Sequence, residues 1–173
     1  VKKARKNWVG DSKDSCLSWM FFCLVACADS SLAAADANVA PIRFAPAAGV
    51  KASLLVHEHA VDISVTGARG EFRETVVVET EKNLKINLED YNFDGHMDFS
   101  ISHVDDGMGT YDVHQVYVYS VEQNRFVHLI PKCGDEFINL VVDKRSRTLL
   151  SSYVLNNRYM TCKMSTFVLS EQK

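Results

Sequence analysis

The chain has 173 residues, 47% of them hydrophobic, with only 3 Pro and 8 Gly and a formal net charge of −3. That is enough for one domain with its own core, and it excludes collagen-like and broadly disordered chains. No repeat period is visible along it.

Lys2, Lys3, Arg5 and Lys6 open the chain, and Leu17 to Ala28, LSWMFFCLVACA, is a nearly continuous apolar run of 12 residues. A spanning helix needs about 20 residues. A basic start followed by a shorter apolar run reads as a secretory signal peptide over residues 1–27. Two exits are open. LVAC, ending at Cys27, resembles a bacterial lipobox, which would make Cys27 the lipidated first residue and, with Ala28 next, direct it to the outer membrane. The Ala-x-Ala patterns at Ala33/Ala35 and Ala35/Ala37 would serve ordinary cleavage and soluble secretion. Residues 28–41, ADSSLAAADANVAP, are small and polar and suit a flexible tether, leaving 42–173 as a single β domain.

Of five cysteines, Cys16, Cys23 and Cys27 fall in the signal, so Cys133 and Cys162 remain in the body. In an oxidising compartment an even pair reads as one disulfide; two buried thiols are the alternative. Residues 1–27 hold five Lys/Arg and two Asp, which leaves 14 basic and 20 acidic side chains in residues 28–173, a formal −6. An acidic exported domain has no electrostatic reason to bind nucleic acid or anionic lipid, so contact with the membrane would run through a lipid anchor only, and a basic partner would be favoured.

From residue 42 onward the pattern is β nearly throughout. SLLVHEH and AVDISVTG are short β-rich runs. EFRETVVVE and LKINL follow, with TEKN between them expected as a hairpin turn. MDFSISHV alternates apolar Met97, Phe99 and Ile101 with polar Asp98, Ser100 and Ser102. VHQVYVYSV is rich in Val and Tyr, and EQNR turns the chain into FVHLI. FINLVVD, KRSR and TLLSSYVL form another hairpin, and YMTCKMSTFVL closes the chain. No segment has sustained helical spacing with caps. The expectation is an all-β fold, an antiparallel β-sandwich or curved meander, with a Cys133–Cys162 bridge clamping its C-terminal edge.

One stretch, LEDYNFDGHMDFSIS, crowds Asp90, Asn92, Asp94 and Asp98 into nine residues with Gly95 among them. Carboxylates so close repel unless something positive sits between them. The spacing D-x-N-x-D-G-x-x-D is the first part of a calcium loop: Asp90, Asn92 and Asp94 supply hard oxygens, Gly95 permits the turn, His96 offers its backbone carbonyl, and Asp98 contributes directly or through water. Position 12 is Ile101 rather than the Glu of an EF-hand, and a strand follows rather than a helix. The motif is therefore a strand-flanked calcium loop with a structural role. A self-capped Asx-rich turn is the alternative.

Other constellations carry less. His57 and His59 could fall on one face of a strand and ligate zinc, but none of the six His lies in a recognised zinc spacing, so a polar strand face is the favoured reading. The G-x-G of Gly107 and Gly109 has no helix after it to receive a phosphate. No G-x-S-x-G or H-E-x-x-H motif is present, and a non-enzymatic protein is expected.

EDYNFDGHMDF, then DDGMGTYD, then VYVYSVEQNRFVHL resembles a group of exported calcium-loop lipoproteins related to the PliI-type periplasmic lysozyme inhibitors, some of them immunity proteins against cell-wall-degrading toxins. The similarity spans about residues 84–131. The resemblance implies a β-rich fold, a bound Ca²⁺, a periplasmic or outer-membrane location, and a loop that plugs the cleft of a lysozyme-like muramidase, whether host enzyme or bacterial toxin. The matching inhibitory loop here is Gly107, Gly109, Thr110 and Tyr111, although the Ser of related loops is absent. It would be a rigid projection with Tyr111 at its tip, steadied by the ion. Tyr111 also reads as an ordinary strand-start aromatic. A calcium-binding structural or adhesive envelope module is the other reading of the same residues.

Overall fold

Alternating apolar residues in the first half of the domain produce strands with one buried face. The computed structural model describes residues 40–107 and 109–165, all within the compact unit Asp36–Lys173. The signal reading over 1–27, Cys27 and residues 28–39 of the tether lie outside the described residues. The first sheet is β1 (Ile42–Phe44), β2 (Lys51–Val56), β3 (Ala60–Gly67) and β4 (Gly70–Val77), antiparallel in that order. Its register pairs Leu54 with Ile63 and Val65 with Phe72, so Ala52, Leu54, Val61, Ile63 and Val65 share one buried face.

The second sheet is β5 (Lys85–Glu89), β6 (Asp98–Val104), β7 (Asp112–Ser120) and β8 (Arg125–Leu129), with β9 (Phe137–Ile138) also paired to β7. The third is β10 (Val141–Asp143), β11 (Thr148–Leu155) and β12 (Arg158–Ser165). Every pairing is antiparallel, and among the described residues there is no helix. The all-β expectation is borne out, as three packed sheets.

The second sheet is the middle layer. Phe99, Ile101, Tyr117, Tyr119 and Phe126 pack against the first sheet's buried face, with Phe99 stacked on Tyr117 at 5.0 Å and edge-on to Phe126 at 4.8 Å. From its other face Val116, Leu129 and Phe137, with Tyr91, pack against Leu149 and Met164 of the third sheet. Hence β6 is buried along nearly its whole length, and the polar set of its alternation lies inside the protein. Tyr91 Oη and Ser100 Oγ are hydrogen-bonded at 2.8 Å, and Asn87 Nδ2 donates to Ser102 Oγ at 2.9 Å. Buried hydroxyls need such partners.

Two sequence expectations are corrected. TEKN is not a hairpin turn: β4 closes the first sheet and β5 opens the second, so residues 78–84 cross between layers. FINLVVD is not one strand. Asn139 adopts φ 48°, a left-handed conformation that Asn tolerates better than most side chains, and the chain changes sheets there. Its side chain secures the bend, with Oδ1 accepting Asp112 N–H at 3.0 Å and Nδ2 donating to Ser152 O at 3.0 Å. Cys133 and Cys162 form the disulfide, tying the loop after β8 to β12.

Candidate functional site

The Asp-rich loop joins β5 to β6. Asp90 accepts the N–H of Asp94 at 3.2 Å and of Gly95 at 2.9 Å; Asn92 Oδ1 accepts Asp94 N–H at 3.1 Å; Asp94 Oδ1 accepts His96 N–H at 2.8 Å. The side chains at positions 1, 3 and 5 thus curl over the turn's own amides. Gly95 at φ 87° and Phe93 at φ 58° make the curl possible. The donor set is all oxygen, the chemistry that suits a hard cation. Two basic side chains from the β10–β11 turn also lie against the loop: Arg147 donates to Phe93 O, and Lys144 Nζ is 2.9 Å from Glu89 Oε1.

Asp98 is placed differently. It is fully buried. Its Oδ2 accepts Tyr91 N–H at 2.9 Å and Asn92 N–H at 3.4 Å, and its Oδ1 accepts Tyr119 N–H at 2.8 Å. Burial pushes its carboxyl up to about 7 against the pull of those amides. Asp98 thus holds the loop from behind, and Tyr91, the second loop residue, fills the core between the second and third sheets. Sequence reasoning gave Tyr91 no role; the signal was a large aromatic inside an otherwise polar loop. His96 packs its ring edge-on to Tyr119 at 6.0 Å. Among the described residues no group of three or more His, Cys, Asp or Glu side chains converges in a metal-holding cluster.

The second candidate, Gly107 to Tyr111, lies at the far end of β6. Seven residues at about 3.3 Å each separate the two loops by roughly 20 Å. An ion at Asp94 therefore cannot hold Gly109 or Tyr111 directly, and the expected coupling between the loops is corrected. The loop is held by Asp105 instead. Asp105 N–H donates to Tyr111 O at 2.9 Å, and its carboxylate accepts Tyr111 N–H at 2.7 Å and Gly109 N–H at 3.3 Å. Those amides hold the Asp105 carboxyl below its ordinary value. Asp106 caps a neighbouring segment, accepting Thr80 Oγ1–H at 2.9 Å and Glu81 N–H at 3.0 Å, and its carboxyl is lowered by the same kind of contact. Consecutive aspartates therefore pin two different loops together.

Tyr111 is at the base of its loop, not at the tip. It is half-buried and its hydroxyl accepts the N–H of Val154 at 3.2 Å, joining the loop to the β11–β12 hairpin. Gly107, Gly109 and Thr110 are exposed beyond it. Residues 79–82 and 105–112 carry Glu79, Glu81, Asp105, Asp106 and Asp112 against Lys82. His57 and His59 do not share a strand face, because β2 ends at Val56. His57 Nε2 pairs with Asp62 Oδ2 at 2.8 Å, and His59 Nδ1 meets Thr80 O at 2.7 Å.

Compared with known protein families, with curated proteins and with solved structures, the chain matches none of them.

Proposed function

We propose that this protein is a calcium-stabilised, non-enzymatic inhibitor of a lysozyme-like peptidoglycan hydrolase, acting in the periplasm, anchored to the outer membrane through Cys27 where the lipobox is used. The observation that carries it is the Asp105 staple, which holds Gly109 and Tyr111 so that Gly107, Gly109 and Thr110 stand exposed at an acidic end of the domain. A loop already held in shape loses little entropy on binding, so contact made through it costs little ordering. Carboxylates around it would steer a basic enzyme toward contact, with a rate that falls as salt is added. Ca²⁺ would be held by Asp90, Asn92, Asp94 and the His96 carbonyl, with Asp98 orienting the loop from inside. The ion would supply the positive charge that four acidic or amide side chains in one turn call for.

The test is clearing of a peptidoglycan suspension by c-type, i-type and g-type lysozymes, with and without a molar excess of the domain, at low and high salt. Slowing of at least one enzyme, weaker at high salt, supports the reading. If none is slowed, the inhibitor reading fails and the calcium-binding structural or adhesive envelope module becomes the better account.

A further inference from the structure

We infer that the end of the β11–β12 hairpin, Tyr153 to Met160, is the element that enters the partner's cleft, with the Gly107–Tyr111 loop as its flank. This rests on the inhibitor reading above and names the part of the surface that would do the work.

Beyond Leu150 no third strand pairs with β11 among the described residues, so the end of the hairpin stands out as a two-stranded ribbon. Its last rows pair Tyr153 with Met160, Val154 with Tyr159 and Leu155 with Arg158, and Asn156–Asn157 turn the chain at φ 51° and 60°. Two positive φ values in a two-residue turn fix the strand register tightly. An isolated ribbon is marginal in water, yet this one is held at its base. Cys162 is bonded to Cys133, Asn139 bonds Ser152 O, and the Tyr111 hydroxyl takes Val154 N–H.

The ribbon's side chains are unusual for a free edge. Tyr159 is 72% exposed, and Val154, Leu155 and Met160 are 50%, 51% and 40% exposed. Paired residues share a face, and successive residues alternate. Val154 and Tyr159 therefore lie on one side and Leu155 and Met160 on the other. A docking surface that meets a flat partner needs one apolar side. Apolar side chains on both sides suit an insert gripped from two directions, that is, a ribbon in a cleft.

Charge narrows the partner. Within Tyr153–Met160 the one ionisable cation is Arg158, next to the turn, so it travels deepest. The acidic segments around Asp105, Asp106 and Asp112 flank the ribbon's base through Tyr111 and Asn139. The complementary partner has a basic rim and an acidic floor. Glycoside hydrolases place a carboxylate pair at the floor of the cleft, and an Arg fork meets carboxylates bidentately. Exposed Tyr and Arg are also the residue types that dominate interface energetics.

The experiment uses the full chain and whichever lysozyme it slows most. Arg158→Glu and Tyr159→Ala are compared with wild type by inhibition constant, thermal melting and intact mass with the disulfide formed. Amide hydrogen exchange of residues 153–160 is followed with and without enzyme. The inference expects each variant to lose about thirtyfold or more in inhibition, with melting unchanged and the ribbon amides protected in the complex. Inhibition retained by both variants, with those amides unprotected, overturns the inference while leaving the inhibitor reading in place. If no lysozyme is slowed by wild type, both fall. A dimer in solution that either variant dissociates would also overturn it, because the ribbon's occupant would then be a second copy of the chain.

Discussion

Asp98 Oδ1 accepts the backbone N–H of Tyr119 at 2.8 Å. The β6–β7 ladder begins at the Phe99–Tyr117 pair, so a side chain continues the bonding where backbone pairing stops. The other oxygen of the same carboxylate takes Tyr91 and Asn92 amides. Asp98→Ala would leave these N–H groups without acceptors. A buried unpaired group costs on the order of 1–3 kcal/mol, so a loss of about 3 kcal/mol is expected in urea unfolding. Asp98→Asn should not rescue it, since its NH₂ would face an N–H donor. Wild-type stability in either variant would remove this role from Asp98.

Calcium should act through the exposed residues of the loop rather than through its inner clamp. A ligand that binds only the folded state stabilises it by about 2.7 kcal/mol at a hundredfold excess over its dissociation constant. Asp94→Ala should abolish the calcium-dependent rise in melting temperature and leave the metal-free protein nearly unchanged, because Asp94 is exposed and its contacts stay within the turn. A wild-type melting temperature that does not move between EGTA and excess Ca²⁺ would count against the ion.

His114 supplies a pH dependence. Burial lowers its pKa below the ordinary value near 6.5, and nearby His103 adds to the lowering while Asp112 opposes it. Its Nδ1 is 3.5 Å from Ser100 Oγ, beside the buried hydroxyls of β6. A depressed histidine is neutral in the folded state, so its contribution is fully present above pH 6.5 and is lost as pH falls through the folded value. Relative to His114→Gln, wild type should therefore lose stability on going from pH 7.5 to pH 5. Parallel curves for the two proteins would contradict the assignment.

The disulfide joins residues 29 apart in sequence. The loop-closure model gives about 3–4 kcal/mol for a segment of that size. Cys133→Ala with Cys162→Ala should lower unfolding free energy by roughly that amount. It should also raise proteolytic sensitivity of the loop after β8, which the bridge ties to β12. Reaction of Cys133 and Cys162 as free thiols in the denatured protein would refute the bridge.

Strand identity was largely legible because most strands alternate or are rich in Val, Tyr and Ile. What the pattern could not carry is which strands share a sheet. TEKN has turn chemistry whether it joins a hairpin or crosses between layers, and only the burial of Val78 and Thr80 distinguishes the two. MDFSISHV showed its alternation, but a polar face reads as solvent-facing until a third sheet is found covering it. In the loop, D-x-N-x-D-G predicted the curl of Asp90, Asn92 and Asp94 over Gly95. The inward turn of Asp98 depends on β7, 21 residues away, and so is invisible to local spacing. The roles of Asp105 and Asp106 are equally hidden from local spacing, because their partners at Tyr111 and Thr80 lie on different segments.

That pair gives the last test of the proposed function. Asp105 holds the Gly107–Tyr111 loop and Asp106 holds residues 80–81, so their removal should have separable effects. Asp105→Ala removes the acceptor of the Gly109 and Tyr111 N–H groups and leaves the bond from Asp105 N–H to Tyr111 O in place. The folded domain should survive, since the loop is exposed, but the loop would sample many shapes and must be ordered on binding. Inhibition of the muramidase should weaken by about tenfold, in line with the ordering cost of a few side chains, and the melting temperature should move little. Tyr111→Phe removes only the hydroxyl that accepts Val154 N–H. It should give a smaller loss, because the ring stays in place while the loop separates from the hairpin. Asp106→Ala leaves the loop's own staple intact, so its effect on inhibition should be limited to the lost charge and should vanish at high salt. Equal losses in Asp105→Ala and Asp106→Ala at every salt concentration would show that charge, not loop order, controls binding. Full inhibition by Asp105→Ala would remove the Gly107–Tyr111 loop from the interface.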